Sequence, residues 1–263
     1  MAQKFDMIII GGGPNGLVIA SYLAKAGQKC LLLEKRFEVG GGLMTEQVTQ
    51  PDFFHNTHAI YHMMVEYAPI YQDLNFDEYL IKHIRPELQW ALPLKDGKCL
   101  CIYTDVEKTC ASIAKFSKKD ADSYRNMNKL YDDMMKNMVG PLTYTPACSF
   151  IDLAAKAEET DLGRAMTGLA FQPPEQVVCD LYENDVVRTL MLYACCHWGL
   201  DYAQSGVGFM LAIYMDRLAN YYMVAGGSHR ISNAILKRYF ENKGQVRTSA
   251  QIKRFIIDRK SVV

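Results

Sequence analysis

Met7-Ile8-Ile9-Ile10-Gly11-Gly12-Gly13-Pro14-Asn15-Gly16 is the stretch on which the fold turns. Its four consecutive apolar residues read as a parallel strand buried on both faces, and the glycines at 11, 13 and 16 complete a G-x-G-x-x-G. In that spacing Gly11 permits the tight turn out of the strand, Gly13 lets backbone approach a pyrophosphate, and Gly16 allows a helix to pack closely on the strand. The helix expected over about Asn15–Ala26 points its free N–H groups and the positive end of its dipole at that phosphate. Pro14 and Asn15 at its start count with the binding residues.

Outward from this turn, Gly27 ends the helix, and Cys30-Leu31-Leu32-Leu33 reads as a second buried strand finishing on Glu34. A carboxylate there, 18 positions past Gly16, is placed to accept hydrogen bonds from both hydroxyls of an adenosine ribose, and it would repel a 2′-phosphate. A lone G-x-G-x-x-G arises by chance in any Gly-rich turn. Between two apolar strands, with the acid at this distance, it marks a dinucleotide site, with which Lys35 is also counted. A second cluster, Gly40-Gly41-Gly42, begins six residues past Glu34. Bare backbone at Gly41 and Gly42 can approach the same pyrophosphate from the opposite side, something a simple NAD site does not need.

With these motifs the chain resembles the FAD-dependent phytoene-desaturase-like oxidoreductases, relatives of the carotenoid desaturases, retinol saturase and flavin amine oxidases. The resemblance runs over essentially the whole chain. It is carried by Ile10 to Leu17, Gly40 to Glu46, Leu92-Pro93-Leu94-Lys95-Asp96-Gly97, Phe116-Ser117-Lys118-Lys119-Asp120-Ala121 and Val224-Ala225-Gly226-Gly227. It implies FAD as the cofactor and an α/β fold: a Rossmann-type, glutathione-reductase-like FAD-binding domain with an inserted α+β substrate domain. The expected division is 1–75 for the first part of the FAD-binding domain, 76–222 for the substrate domain and 223–263 for the return to the FAD-binding domain.

The resemblance also assigns residues. Ile252 matches a position whose backbone packs on the adenine in relatives. His58 stands where many relatives have a histidine near the flavin, and is the candidate for holding substrate or moving a proton; a hydrogen-bonded structural histidine is the competing reading. Many relatives carry Arg after the Gly pair, and Leu43 here removes one phosphate contact. The implied reaction is hydride transfer between flavin and a carbon–carbon bond of an apolar substrate, as desaturation or saturation. An amine-oxidase-like flavoenzyme and a non-catalytic ADP-clamping subunit are the alternatives. Relatives continue well beyond residue 263, so either a second polypeptide completes the flavin site or the sequence is a truncation.

The middle of the chain supports an inserted domain. Leu88–Leu94 and Cys99–Tyr103 read as strands joined by an Asp-Gly hairpin turn. Apolar residues at spacings of three and four predict helix over Val106–Met138, and Gly206 and Gly208 divide a helical stretch from Asp185 to Asn220. Tyr193, Trp198, Tyr202, Phe209 and Tyr214 read individually as core filling and together favour an apolar substrate. Tyr221–Val224 reads as a strand, Ser228 as the cap of a helix with Ile231, Ala234, Ile235 and Phe240 on its apolar face, and 245–248 and 252–257 as strands.

Composition narrows the partners. Lys plus Arg equals Asp plus Glu at 29 each, so no global field attracts nucleic acid. The start of the sequence runs into the first strand without a signal-peptide pattern, giving a cytoplasmic expectation. The apolar stretch Val207–Met215 is too short to span a bilayer. The eight cysteines lack C-x-x-C spacing, and His55 with His58 finds no carboxylate or thiol at ligand spacing, so no metal site is expected.

Overall fold

The computed structural model describes residues 3–256 apart from positions 80, 148, 198 and 209. Strand β1 (Met7–Ile10) leads through the Gly turn into α1 (Pro14–Lys25) and back into β2 (Cys30–Leu33), which pairs parallel to β1 with Met7 opposite Cys30. The chain reaches β9 (Gln245–Arg247) much later, and β9 adds in parallel on the far side of β2, giving the order β1-β2-β9.

That order explains a departure from the sequence expectation. β1 is not buried on both faces: Met7, Ile8 and Ile10 are 43%, 58% and 47% exposed. Among the described residues β2 is flanked on both sides and buried almost throughout, whereas β1 is the edge of the sheet with one ladder of backbone groups open.

The chain divides into two compact units. The first comprises Met1–His62, Pro69–Ile84 and Met223–Val263. Beyond the parallel sheet it holds the short antiparallel pairs β3 (Thr45–Glu46) with β4 (His55–Asn56), and β5 (His83–Ile84) with β8 (Met223–Val224), together with α2 (Ile70–Asp73) and α11 (His229–Glu241). Its core gathers Leu17, Ala20 and Ala24 of α1, Leu32 of β2, Leu74, Phe76, and Ile231, Ile235 and Tyr239 of α11.

The second unit, Met63–Ala68 with Arg85–Tyr222, is a hairpin of β6 (Leu88–Pro93) and β7 (Cys99–Tyr103) backed by helices. These are α3 (Val106–Ile113), α4 (Lys118–Met134), α5 (Gly140–Thr143), α6 (Phe150–Glu158), α7 (Asp161–Ala170), α8 (Pro174–Leu181), α9 (Asp185–His197) and α10 (Met210–Ala219). β7 alternates cleanly: Leu100 and Ile102 are fully buried against Ile113, Met134 and Leu218, while Cys99, Cys101 and Tyr103 are half-buried on the opposite, outward face.

The single helix expected over 106–138 is two, because Asp105 and Ser117 each cap a start by accepting from the third amide beyond, Lys108 N at 3.0 Å and Asp120 N at 3.1 Å. Asp120 is fully buried and accepts from the amides of Glu183 (2.8 Å) and Asn184 (2.9 Å), fixing the passage into α9. Asp120→Asn turns one of those acceptors into a donor facing a donor. The expected result is a loss of about 1–3 kcal/mol, read as a lower urea midpoint with unchanged slope.

Other expectations need correction. Tyr193 and Tyr202 are 47% and 45% exposed, so they do not fill the core, whereas Tyr214 packs against it. Trp198 and Phe209 lie outside the described residues. Residues 252–256 form no strand, since pairing beside β2 ends where Ser249 N reaches Arg36 O and Ala250 N reaches Glu34 O; Ile257 lies outside the described residues.

Candidate functional site

The site begins at the end of β1. Gly11 N donates to Leu33 O (2.8 Å), which closes the turn against β2, and Leu17 N donates to Gly13 O (2.9 Å), which opens the helix. Gly13 occupies the N-cap and carries no side chain, so no side chain of that residue competes for the first-turn amides. A Cβ added at Gly13 would meet only Gly41 Cα, at 3.9 Å, leaving space over the turn.

Glu34 is buried and bound to the turn itself. One carboxylate oxygen accepts from Gly12 N at 2.6 Å and the other from Arg36 N at 2.8 Å. A carboxylate offers about four acceptor positions, so two remain for the hydroxyls of a ribose. The sequence pointed to the acid; that it also staples the Gly turn was not foreseen, because the bond joins backbone at one strand end to side chain at the next. Lys35 is exposed beside it, and Arg36 pairs with Glu46 of β3 at 2.6 Å.

The second Gly cluster meets the first. Gly40 N donates to Gly12 O (2.8 Å), and Gly41, with φ of +53°, comes so close that an added Cβ would lie 2.8 Å from Gly13 Cα. The two bare backbones therefore form one cradle, and its open room and aligned helix start fit a pyrophosphate. Leu43, directly after the second Gly cluster, is buried in the apolar core. Pro14 and Asn15 sit at the helix start, Asn15 exposed. Ile252 is half-buried in the irregular segment after the sheet pairing.

His58 is exposed with its ring over Gly42, whose added Cβ would lie 3.2 Å from Nδ1. His55, its neighbour in sequence, instead bonds Thr49 Oγ1 at 2.8 Å. Among the described residues no group of three His, Cys, Asp or Glu side chains is arranged to hold a metal.

The reading of Ser228 as a helix cap needs correction, and His62 was missed altogether. Ser228 does not cap α11: its hydroxyl donates to Ala59 O and therefore accepts from His62 Nε2 at 3.1 Å. The amides at the helix start go instead to side chains of the β3–β4 pair, Ser228 N to Asn56 Oδ1 (2.9 Å) and His229 N to Thr45 Oγ1 (3.2 Å). His62 is thus fixed as the Nε2–H tautomer, and its burial, reinforced by nearby His83, pushes its pKa down to about 4.

The consequence is a pH window. A histidine whose folded pKa is depressed favours the fold while neutral, so its contribution is complete above the ordinary value of 6.5 and is lost as pH falls toward about 4. His62 is expected to show no imidazole titration near neutrality by NMR. An inflection at its ordinary value would overturn the buried, Ser228-bonded placement.

Three comparisons bear on this geometry. The family described as NAD(P)-binding Rossmann-like domain matches residues 9–75. A limonene dehydrogenase subunit of Castellaniella defragrans is 33% identical over 262 residues, 99% of this chain and 47% of that one. The 4,4'-diapophytoene desaturase (4,4'-diapolycopene-forming) of a Methylomonas species is 24% identical over 98% of this chain and 50% of its own length. Among solved structures, cyclohexylamine oxidase from Brevibacterium oxydans superimposes with a TM-score of 0.58 at 17% identity, over 93% of this chain and 51% of that one, a likeness of fold alone. The chain spans about half the length of the curated relatives it matches.

Proposed function

We propose that this chain, a member of the phytoene-desaturase-like family of Rossmann-fold oxidoreductases, binds FAD and serves hydride transfer to or from a carbon–carbon bond of an apolar substrate. The observation that carries the reading is the cradle of Gly13 against Gly41 with Glu34 beneath it, on a chain whose relatives include a desaturase and a dehydrogenase subunit.

FAD, when bound, supplies the hydride-accepting or hydride-donating centre. The work of this chain is holding and placing. Gly11 turns the chain and Gly16 lets the helix pack, Gly13, Gly41 and Gly42 bring backbone to the pyrophosphate with Pro14 and Asn15 at the helix start, Glu34 receives the ribose hydroxyls, Lys35 flanks them, and Ile252 backs the adenine. His58, exposed with its ring beside Gly42, is the residue proposed to orient substrate or move a proton. A cytoplasmic setting belongs to the same reading, in keeping with free thiols at Cys30, Cys99, Cys101, Cys110, Cys179 and Cys196. Among the described residues no helix is long and apolar enough to cross a membrane.

A second polypeptide is proposed to complete the flavoprotein fold. In doubly wound sheets the strand that carries the nucleotide turn is central, with further strands on both sides. Here, among the described residues, β1 is an edge, and Met7, Ile8 and Ile10 stand exposed along it. Strands added beside β1 would cover them and supply the flavin end of the site.

Native mass spectrometry of the gently purified protein tests both parts, since it reads bound cofactor and bound chains together. FAD with a second polypeptide supports the full reading. FAD without one removes the partner, and a bare chain that takes up no added FAD overturns the cofactor assignment. Anaerobic bleaching of bound flavin by alicyclic or isoprenoid hydrocarbons rather than by amines distinguishes the desaturase-like reaction from amine oxidation.

A further inference from the structure

The alternation of β7 that buries Leu100 and Ile102 places Cys99 and Cys101 together on its outward face, with sulfurs 3.6 Å apart. Both thiols are partly exposed. Across the hairpin they face Pro93 and Ala91, two exposed residues that carry no long side chain to cover them. Tyr103, next on the same face, hydrogen-bonds Cys101 through its hydroxyl, and the ammonium of Lys115 lies near Cys99. Burial and the adjacent Cys101 thiol nonetheless push the Cys99 thiol up, so it rests protonated and a bound cation has to displace that proton. Cys30 and Cys110 differ in being buried, and Cys179 is exposed without a described thiol partner.

The separation has a chemical meaning. With metal–sulfur bonds of about 2.3 Å, two corners of a tetrahedron lie about 3.8 Å apart and two ends of a linear complex about 4.6 Å. The pair stands a few tenths of an ångström from the tetrahedral edge and about an ångström short of the linear span.

We propose that Cys99 and Cys101 form a chelating site for a divalent d10 cation of the zinc and cadmium class, occupying two corners of a tetrahedron whose others are taken by water. Binding replaces two S–H bonds with two metal–sulfur bonds and releases two protons to solvent; no electron is transferred. Among the described residues no third His, Cys, Asp or Glu joins the pair, so the coordination sphere keeps open positions. The inference is independent of the flavin site, which lies in the other unit.

The test uses Cd2+ as the probe on the reduced full chain. Native mass spectrometry is expected to show one cadmium per chain with the loss of two protons, together with near-ultraviolet sulfur-to-cadmium absorption. Cys99→Ser and Cys101→Ser are each expected to weaken uptake at least about tenfold, and Cys179→Ser to leave it unchanged. A parent chain that takes up no cadmium, or a Cys99→Ser/Cys101→Ser double variant that takes up as much, overturns the site. Alkylation mapping of the unaltered protein removes any dependence on how the variants fold. Cadmium is expected to shield Cys99 and Cys101 from iodoacetamide, and equal labelling with and without it counts against the proposal.

Discussion

Replacing Glu34 with alanine is expected to empty the dinucleotide site and loosen the turn that forms it. The two effects have separate causes. Gly12 N and Arg36 N both end on this carboxylate, at 2.6 and 2.8 Å. Removing it strands a buried donor at Gly12, which costs about 1–3 kcal/mol for one unsatisfied group. The Arg36 amide is nearer solvent and water can replace much of its bond. The second effect falls on the ligand, because the remaining acceptor positions assigned to the ribose vanish with the side chain. Each 1.4 kcal/mol lost there is about tenfold in affinity, so the purified Glu34→Ala protein is expected to carry little or no FAD by its visible absorbance.

Glu34→Gln separates the two. One amide oxygen still accepts from Gly12 or from Arg36, and the NH2 faces the other donor, so stability falls less than in the alanine variant while ribose binding is still impaired. Full FAD occupancy in Glu34→Ala would show the ribose assignment to be wrong. An unchanged melting temperature would show that the Gly12 bond contributes nothing to the fold.

What the sequence made legible, and what it hid, follows from the range of the forces involved. β1, α1, β2 and the β6–β7 hairpin are set by local period and by turn residues, and each stands within a residue or two of its expected place, whereas the break expected at Gly206 and Gly208 comes earlier, with α9 ending at His197 and α10 beginning at Met210. The cradle was readable because glycine spacing is a local code for close backbone approach. The exposure of β1 was not readable, since an apolar tetrapeptide looks the same at the centre of a sheet and at its edge; only the order β1-β2-β9 separates them. Ser228 misled for a related reason. Serine before a helical period signals a cap, but Ala59 O and His62, far away in sequence, took the hydroxyl, and Asn56 and Thr45 took over the amides.

The Phe116–Ala121 segment shows the reverse case, a family signature with a structural cause. Ser117 caps α4, and Asp120, one turn in, holds the amides of Glu183 and Asn184. This motif ties the hairpin unit together and sits in a different unit from the Gly cradle.

Gly16→Ala is expected to have the largest effect on the fold of any single methyl group added to this chain's nucleotide turn. The new Cβ would lie 2.0 Å from the carbonyl oxygen of Gly11 and 3.1 Å from its carbon, both backbone atoms that no rotamer change can move. Relief requires α1 to lift from β1 or the Gly11 turn to open. The first is resisted by Leu17, Ala20 and Ala24, buried with Ile231 and Ile235 of α11, and the second by the bond from Gly11 N to Leu33 O. Overpacking of this kind costs about 3 kcal/mol or more when neither side yields, so the variant is expected to melt well below the parent whether or not FAD is present. Gly41→Ala provides the contrast. Its Cβ would press on Gly13 Cα at 2.8 Å from a loop with φ of +53°, a left-handed conformation that costs a non-glycine residue about 1–2 kcal/mol. That loop is free of the helix–sheet contact, so Gly41→Ala should cost the chain less stability and cost the cradle its shape: reduced FAD retention with a melting temperature closer to the parent's. If Gly16→Ala instead retained parental stability and Gly41→Ala unfolded the chain, the roles assigned to the two glycine clusters would have to be exchanged.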